Sequence, residues 1–464
     1  MKDELAERLG SDVVELRQLA GGASKEAWAV GLADGRDLLV RRAGVGVIHR
    51  DTLTLEQEFQ VLEAAVAAGV RAPRPIAYLG NIDGREAFAM EMVEGETIGR
   101  RLVRDPPPEL PLEMADELAK IHTIEPLDFL PRGDSLTRFY AELDSVGEPH
   151  PAIEYGLAWV RERLPFPGVD ASDISQGQSL GQSRRGQAPG TVPGTGPERT
   201  SARKPTFVHG DFRLGNLAVT DHLVAVLDWE FAHVGDPVED VAWPLVRAWR
   251  FGADARRLGG VGDVEPYLER YNELTGRDIT LDELLVWEVF GNVKWATGCL
   301  TQSRRHLNGQ DRSVEYAVLG RMAAEMEYEL LDLIRDQVRG HVPQGDVVRK
   351  RDVPLRDMSP DLVPGRSDRP DASELVEAVF EFLAEEVLPN AADHRAKFRT
   401  LVAMNALGIA RRELDSDEQF PTQEELRELA RRIRAGEPAD LAQLKAHVAA
   451  KLRISNPAYL EKYR

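Results

Sequence analysis

A single cysteine, Cys299, stands in this 464-residue chain, which excludes an intrachain disulfide and any metal site assembled from clustered thiolates. Positive charge is short as well: 58 Lys and Arg against 78 Asp and Glu leave a net charge of −20. Nonspecific attraction to nucleic acid or to an anionic membrane surface is thereby disfavoured. No apolar run approaches a membrane-spanning length, and the N-terminal Met1-Lys-Asp-Glu-Leu-Ala-Glu-Arg8 is not an apolar leader. A cytoplasmic protein is expected, with neither nucleic acid nor membrane as partner. No Gly-Lys-Ser/Thr follows a glycine-rich loop, which removes a Walker-type nucleotide site. What is present is 42% hydrophobic content, enough at this length to bury more than one core and to build two to three domains.

The chemistry concentrates in Phe207-Val-His-Gly-Asp-Phe-Arg-Leu-Gly-Asn216, followed by Val224-Ala-Val-Leu-Asp-Trp-Glu230. Phe207-Val208 and Val224–Leu227 are β-branched or apolar runs bounded by Gly210, Gly215, Asn216 and Asp221. They read as two buried strands with polar residues at their ends. An Asp five residues before an Asn, then a second Asp closing an apolar run, is what phosphoryl transfer uses. One carboxylate meets the attacking hydroxyl, and two oxygen donors hold magnesium. The bland alternative is a turn-rich hairpin whose Asp and Asn cap backbone groups; the second motif weighs against it.

His-Gly-Asp-Phe-Arg-x-Gly-Asn, with Leu-Asp-Trp-Glu and Gly235-Asp-Pro-Val-Glu-Asp240, resembles the aminoglycoside-phosphotransferase and choline-kinase-like branch of the protein-kinase fold. The resemblance implies an α+β, two-lobed protein-kinase-like fold and an ATP-dependent phosphotransferase acting on a small-molecule hydroxyl. It casts Asp211 as the catalytic group at the acceptor hydroxyl, and Asn216 and Asp228 as Mg2+ ligands. Arg213 either contacts phosphate or braces the loop. His209 is expected to hold the loop backbone, and Asp236 and Asp240 to tie the segment to the helix beneath. Trp229-Glu230 where Phe-Gly would follow, and no Ala-Pro-Glu segment, argue against a protein kinase.

The N-terminal half supplies candidates for holding the nucleotide. Leu16–Leu19, Gly21-Gly22-Ala-Ser24 and Ala27–Val30 read as strand, turn and strand, whose glycines let backbone amides approach phosphate. In Arg36-Asp-Leu-Leu-Val-Arg-Arg42 the strand ends in arginines where the kinase pattern wants a Lys. Arg41 is favoured over Arg42 by the family likeness. A planar fork replaces a compact point charge there, which leaves ATP against GTP open. A helix over 53–68 follows, with Leu55, Phe59, Leu62 and Val66 on one face. Glu56, Glu58 and Glu63 border that stripe; the family's Glu-aromatic pair matches Glu58-Phe59. Phe88–Gly95 fits the inter-lobe hinge, with Glu91 and Val93 expected at the nucleotide.

Residues 1–95 are thus expected as the nucleotide-clamping lobe and 96–338 as the helical lobe, with 165–205 a flexible Gly/Ser/Pro/Gln-rich insertion. The proline-rich 339–370 reads as a linker. Beyond it, 371–464 is expected as a small, separate all-α domain serving a homodimer or protein partner. Its capping signals are Asp371-Ala-Ser-Glu374 and Thr422-Gln-Glu-Glu425. A chain ending near residue 345 is accordingly expected to fold alone. Trp229, Trp243, Trp249, Trp287 and Trp295 follow the catalytic motif, some as core and some as acceptor-pocket walls. With Arg247, Arg250, Arg304 and Arg305 in the same lobe, a polycationic aminoglycoside is the less expected acceptor. The strand-end arginines and the two motifs are similar to the phosphotransferase domains associated with acyl-CoA dehydrogenases, which implies a hydroxyacyl or acyl-CoA-type acceptor. A catalytically weak kinase-like scaffold is the remaining alternative.

Overall fold

The computed structural model describes residues 1–19, 25–44, 52–164, 203–310, 313–338 and 372–463. The glycine turn with Gly21, Gly22 and Ser24, nearly all of the 165–205 insertion and the 339–370 linker lie outside the described residues.

The N-terminal lobe begins with helix α1 (Lys2–Leu9) and strands β1 (Val13–Leu19), β2 (Lys25–Leu32) and β3 (Asp37–Ala43). Helix α2 (Leu55–Ala67) and strands β4 (Pro75–Ile82) and β5 (Arg85–Glu91) complete it. The sheet order is β1-β2-β3-β5-β4, every pair antiparallel. One face packs on α1 through Leu5, Leu9, Val30, Val40 and Ile82; α2 covers the other against Phe88 and Met90. α2 starts where Thr54 and Gln57 form a reciprocal capping box. Its buried residues are Leu55, Glu58, Val61, Leu62 and Ala65. Phe59 and Val66 lie at the margin rather than the centre of that stripe, while Glu58 is fully buried.

Beyond the hinge come α3 (Gly99–Leu102), α4 (Leu110–Ile121), α5 (Ser135–Val146) and α6 (Pro151–Arg161). Short strands β6 (Thr206–Val208), β7 (Leu217–Val219), β8 (Leu223–Val226) and β9 (His233–Gly235) carry the motif residues as two hairpin-like ladders, β6 with β9 and β7 with β8. Helices α7 (Val238–Ala242), α8 (Val264–Thr275), α9 (Leu281–Leu307) and α10 (Val314–Val338) form the body of the lobe. The lobes are stitched where Glu96 and Val219 exchange backbone hydrogen bonds of 2.8 and 3.1 Å. Gly95 sits there at φ +151°, and a Cβ would meet Val219 N at 2.9 Å, so only glycine allows this approach.

The C-terminal region is all-α: α11 (Ala372–Phe382), α12 (His394–Leu414), α13 (Gln423–Arg434), α14 (Leu441–Ser455) and α15 (Pro457–Tyr463). Thr422 and Glu425 form the expected capping box of α13. The expectation of a separate bundle does not hold for α13–α15. Ile433, Leu444, Val448, Leu452 and Leu460 belong to the same core as the kinase-like lobe. Arg434 pairs with the buried Glu154 of α6, and Lys451 with the buried Glu327 of α10. An apolar stripe states that a helix has a covered face; here the lobe itself is the cover. The α11 stripe differs, with Leu375, Val379 and Phe382 about half exposed.

Candidate active site

The site grows from β6. His209 and Gly210 leave that strand with both backbone N–H groups donating to Asp240, at 2.6 and 2.9 Å, so α7 clamps the loop from beneath. Burial pushes the Asp240 carboxyl up, but hydrogen bonding to His122 outweighs it and the pKa falls below the ordinary value. Asp236 takes no part in this clamp; its carboxylate accepts from Val238 N at the start of α7. His209 Nδ1 accepts from Asp211 N, so Nε2–H donates to Leu227 O at 3.1 Å. Burial lowers its pKa. The imidazole is therefore a neutral brace that joins the loop to the strand delivering Asp228.

Asp211 is fixed by three side-chain donors: Trp243 Nε1 at 2.7 Å and Arg213 Nε at 3.1 Å on Oδ1, and Asn216 Nδ2 at 2.6 Å on Oδ2. Asn216 also donates to Asp211 O, which leaves its carbonyl oxygen as the atom able to ligate a cation. Asp228 follows β8 at φ +62°, a left-handed backbone uncommon for a non-glycine residue and frequent at functional sites. Its side chain is 43% exposed and accepts from Arg41 Nη1 at 2.8 Å. Burial raises its pKa, the Arg41 charge lowers it, and the net is below the ordinary carboxylate value. Among the described residues no three His, Cys, Asp or Glu side chains cluster as a metal site. One carboxylate and one amide oxygen fit the way Mg2+ binds when substrate phosphates complete its shell.

The sheet register separates the two strand-end arginines. Arg41 pairs with Ala27 and Arg42 with Glu26, so the two side chains leave opposite faces. Arg42 is tied to Glu26 and Asp83 away from the site. Arg41 faces inward, 3.0 Å from Glu58 as well as touching Asp228; Glu58 Oε1 gains the charge there without an aligned hydrogen bond. Glu56 and Glu63 are exposed. Lys25, which sequence reasoning missed, also reaches Glu58 and lies 3.0 Å from Glu230. Burial pushes the Glu230 pKa up despite Lys25 beside it. At the hinge, Glu91 is exposed and its N–H donates to Arg74 O at 2.9 Å; Val93 is half-buried in the connection to α3.

On the other side of Asp211 lies a cavity of about 130 Å³. Trp243, Trp249 and Trp295 lie in series with their rings tilted to one another, centroids 5.3 and 4.9 Å apart, and Phe139 and Phe231 add to the wall. Its cations are Arg138, Arg213 and Lys294, the last held by Gly210 O at 2.6 Å and Glu239 at 3.0 Å. Arg213 lies over the Trp249 ring at 4.4 Å. Trp229 and Trp287 are core residues. Arg247, Arg250, Arg304 and Arg305 do not line this cavity: Arg250 is buried against Glu288, and Arg247 pairs with Glu329. No local spacing announces Arg138 or Lys294, because α5 and α9 bring them from far along the chain.

Residues 15–274 match the family described as "Phosphotransferase enzyme family", and residues 390–459 match a domain of unknown function, DUF6285. Acyl-CoA dehydrogenase family member 10 of Mus musculus is 28% identical over 275 residues, 56% of this chain and 23% of that protein. Member 11 of Homo sapiens is 26% identical over 212 residues, 44% of this chain and 24% of that protein. The chain thus spans about a quarter of the length of these relatives. A crystal structure of a candidate aminoglycoside phosphotransferase from Ralstonia eutropha shares the fold, with TM-score 0.51 and 20% identity over 72% of this chain and 97% of that one.

Proposed function

Because the chain belongs to the phosphotransferase enzyme family, we propose that it transfers the γ-phosphoryl group of ATP to a hydroxyl of a small apolar metabolite of the hydroxyacyl or acyl-CoA type. The observation that carries the reading is the aromatic cavity opening onto Asp211. In it an acceptor hydroxyl meets the Asp211 carboxylate, whose Oδ1 is held by Trp243 and Arg213 and whose Oδ2 carries Asn216 alone, and the carboxylate takes the hydroxyl proton as the new bond forms. Asn216 and Asp228 would hold Mg2+, which supplies charge neutralisation to the nucleotide phosphates. Arg213, between Asp211 and the Trp249 face, is positioned to meet charge developing on the transferred group.

The same cavity ranks the acceptors. An aminoglycoside is a polycation and wants walls dominated by carboxylates, whereas this lining sets three cations, Arg138, Arg213 and Lys294, and the rings of Phe139, Phe231, Trp243, Trp249 and Trp295 against two carboxylates, Glu142 and Asp211. An acyl chain carrying a carboxylate or another anionic group suits both features. The test is phosphorylation with γ-labelled ATP across hydroxy acids, hydroxyacyl-CoA thioesters and aminoglycosides. Efficient turnover of an aminoglycoside with none on hydroxyacyl compounds would reverse the ordering. Absence of any nucleotide-dependent transfer would leave the scaffold reading.

A further inference from the structure

We infer that Lys25 is a nucleotide-phosphate contact of this enzyme, supplying from β2 the compact ammonium that β3 lacks, while Arg41 braces Glu58 and Asp228. The inference rests on the ATP-phosphotransferase reading above. Its origin is the register of the first hairpin. Ala27 lies opposite Arg41, and Lys25, two residues earlier on the same strand, projects from the same face as a diagonal neighbour of Arg41. The small side chain of Ala27 leaves room for both cations to lean over it. They converge on Glu58, Arg41 on one carboxylate oxygen and Lys25 on the other.

From there the two diverge. Arg41 spends the same Nη1 on Asp228 at 2.8 Å, so its fork is turned toward the metal-ligand carboxylate. Lys25 turns toward Glu230 at 3.0 Å. Its side chain is 9% exposed, so it is no solvated strand-end charge. Five groups form one cluster: Glu58, Asp228 and Glu230 against Lys25 and Arg41. Three carboxylates face two cations, and Lys25 is the only ammonium among them. It is also the first residue of β2, directly after Gly21-Gly22-Ala-Ser24 in the sequence. An ammonium with three rotatable donors can keep Glu58 and turn another N–H onto a phosphate oxygen, which a rigid planar guanidinium, anchored through Nη1 between Glu58 and Asp228, does less readily.

The test compares ATP with adenosine, whose difference is the phosphate chain. Calorimetric titration of wild type and Lys25→Met with each ligand should show ATP affinity reduced about 10- to 100-fold, the worth of a charge-assisted hydrogen bond, with adenosine affinity unchanged. Lys25→Arg keeps the charge and should recover most of the ATP affinity. Loss of ATP and adenosine binding in parallel, or no loss of either, would overturn the assignment. Should Lys25→Met not fold, the wild-type protein decides. An acyl-phosphate derivative of ATP acylates amines lying against the nucleotide phosphates, and mass spectrometry should find ATP-protected label on Lys25. Protected label on other lysines with none on Lys25 would refute the contact, and a wild type that binds no ATP would refute both this contact and the reading it rests on.

Discussion

Replacing Asp211 with Asn keeps the shape of the side chain and removes its charge, which isolates the base from the loop it belongs to. Oδ1 accepts from Trp243 and Arg213, and Oδ2 accepts from Asn216. An amide has one accepting end, so at least one of these donors must face an NH2 group. The stranded donor costs about 1–3 kcal/mol if water cannot reach it, less at this cavity mouth. The chemical loss is larger: a positioned base is worth roughly 10²–10⁴-fold, or about 3–5 kcal/mol of barrier. The expected result is turnover lowered by orders of magnitude, melting lowered by a few degrees, and ATP affinity within about threefold of wild type. Turnover comes from labelled-phosphate transfer, affinity from calorimetry, stability from a thermal melt. Turnover of Asp211→Asn within threefold of wild type would remove Asp211 from the role. Turnover and ATP affinity falling together would mean a collapsed loop and no assignment of a base.

Arg41→Ala should weaken turnover strongly and Arg42→Ala mildly, since Arg41 alone faces Asp228 while Arg42 braces Glu26 on the other face of the sheet; steady-state rates in the reverse order would move the function to Arg42. A chain ending at Val338 should aggregate: it uncovers the lobe surface that Ile433, Leu444, Val448, Leu452 and Leu460 bury. At about 1.5–3 kcal/mol for each such side chain, the loss rivals the ~5–15 kcal/mol that holds a typical domain. A monomer with an unchanged melting temperature in size-exclusion and thermal assays would contradict this. Glu327 is depressed to about 2 because Lys451 and His150 outweigh the penalty of burying it, against an ordinary 4.5. Its contribution is present above pH 4.5 and lost as pH falls toward 2. Lys451→Met should therefore shift acid unfolding to higher pH in melts across that window, and an unmoved midpoint would show the pair to be idle.

Asp211, Asn216 and Asp228 were legible because their geometry is local: five residues separate the first two, and the short β7–β8 hairpin returns the third beside them. Glu58 needed more. Pattern left three glutamates at the edge of α2, and burial against Arg41 and Lys25 distinguishes the one that matters. Lys25 was illegible because a lysine at a strand start reads as solvated until the β2–β3 register is known. Arg138 and Lys294 depend on how α5 and α9 pack, which no single-segment pattern encodes. The C-terminal helices were legible as helices, through Thr422 and the leucine stripes, while the identity of what they cover was not. The proline-rich segment before them signalled a boundary in composition that the packing of α13–α15 does not respect.

That packing bears on the site. α9 supplies Lys294, Trp295, Gly298 and Gln302 to the aromatic cavity beside Asp211, and it packs along α10. α10 in turn carries Glu327 and Asp332, which Lys451 and Lys445 of α14 hold, and Glu329, which Arg247 holds. Arg247 itself stacks on the Tyr463 ring of α15 at 4.1 Å. The cavity wall is therefore braced through two layers of helix by the C-terminal region, whose cations neutralise carboxylates that α10 buries. If the acceptor docks in this cavity as proposed, a drift of about an ångström in the wall that carries Trp295 and Lys294 should lower turnover. The C-terminal helices α13–α15 thus belong to the same lobe as structural backing, and on the proposed reading Lys451→Met should raise the acceptor KM in steady-state assays more than the ATP KM; equal changes in both would refute this.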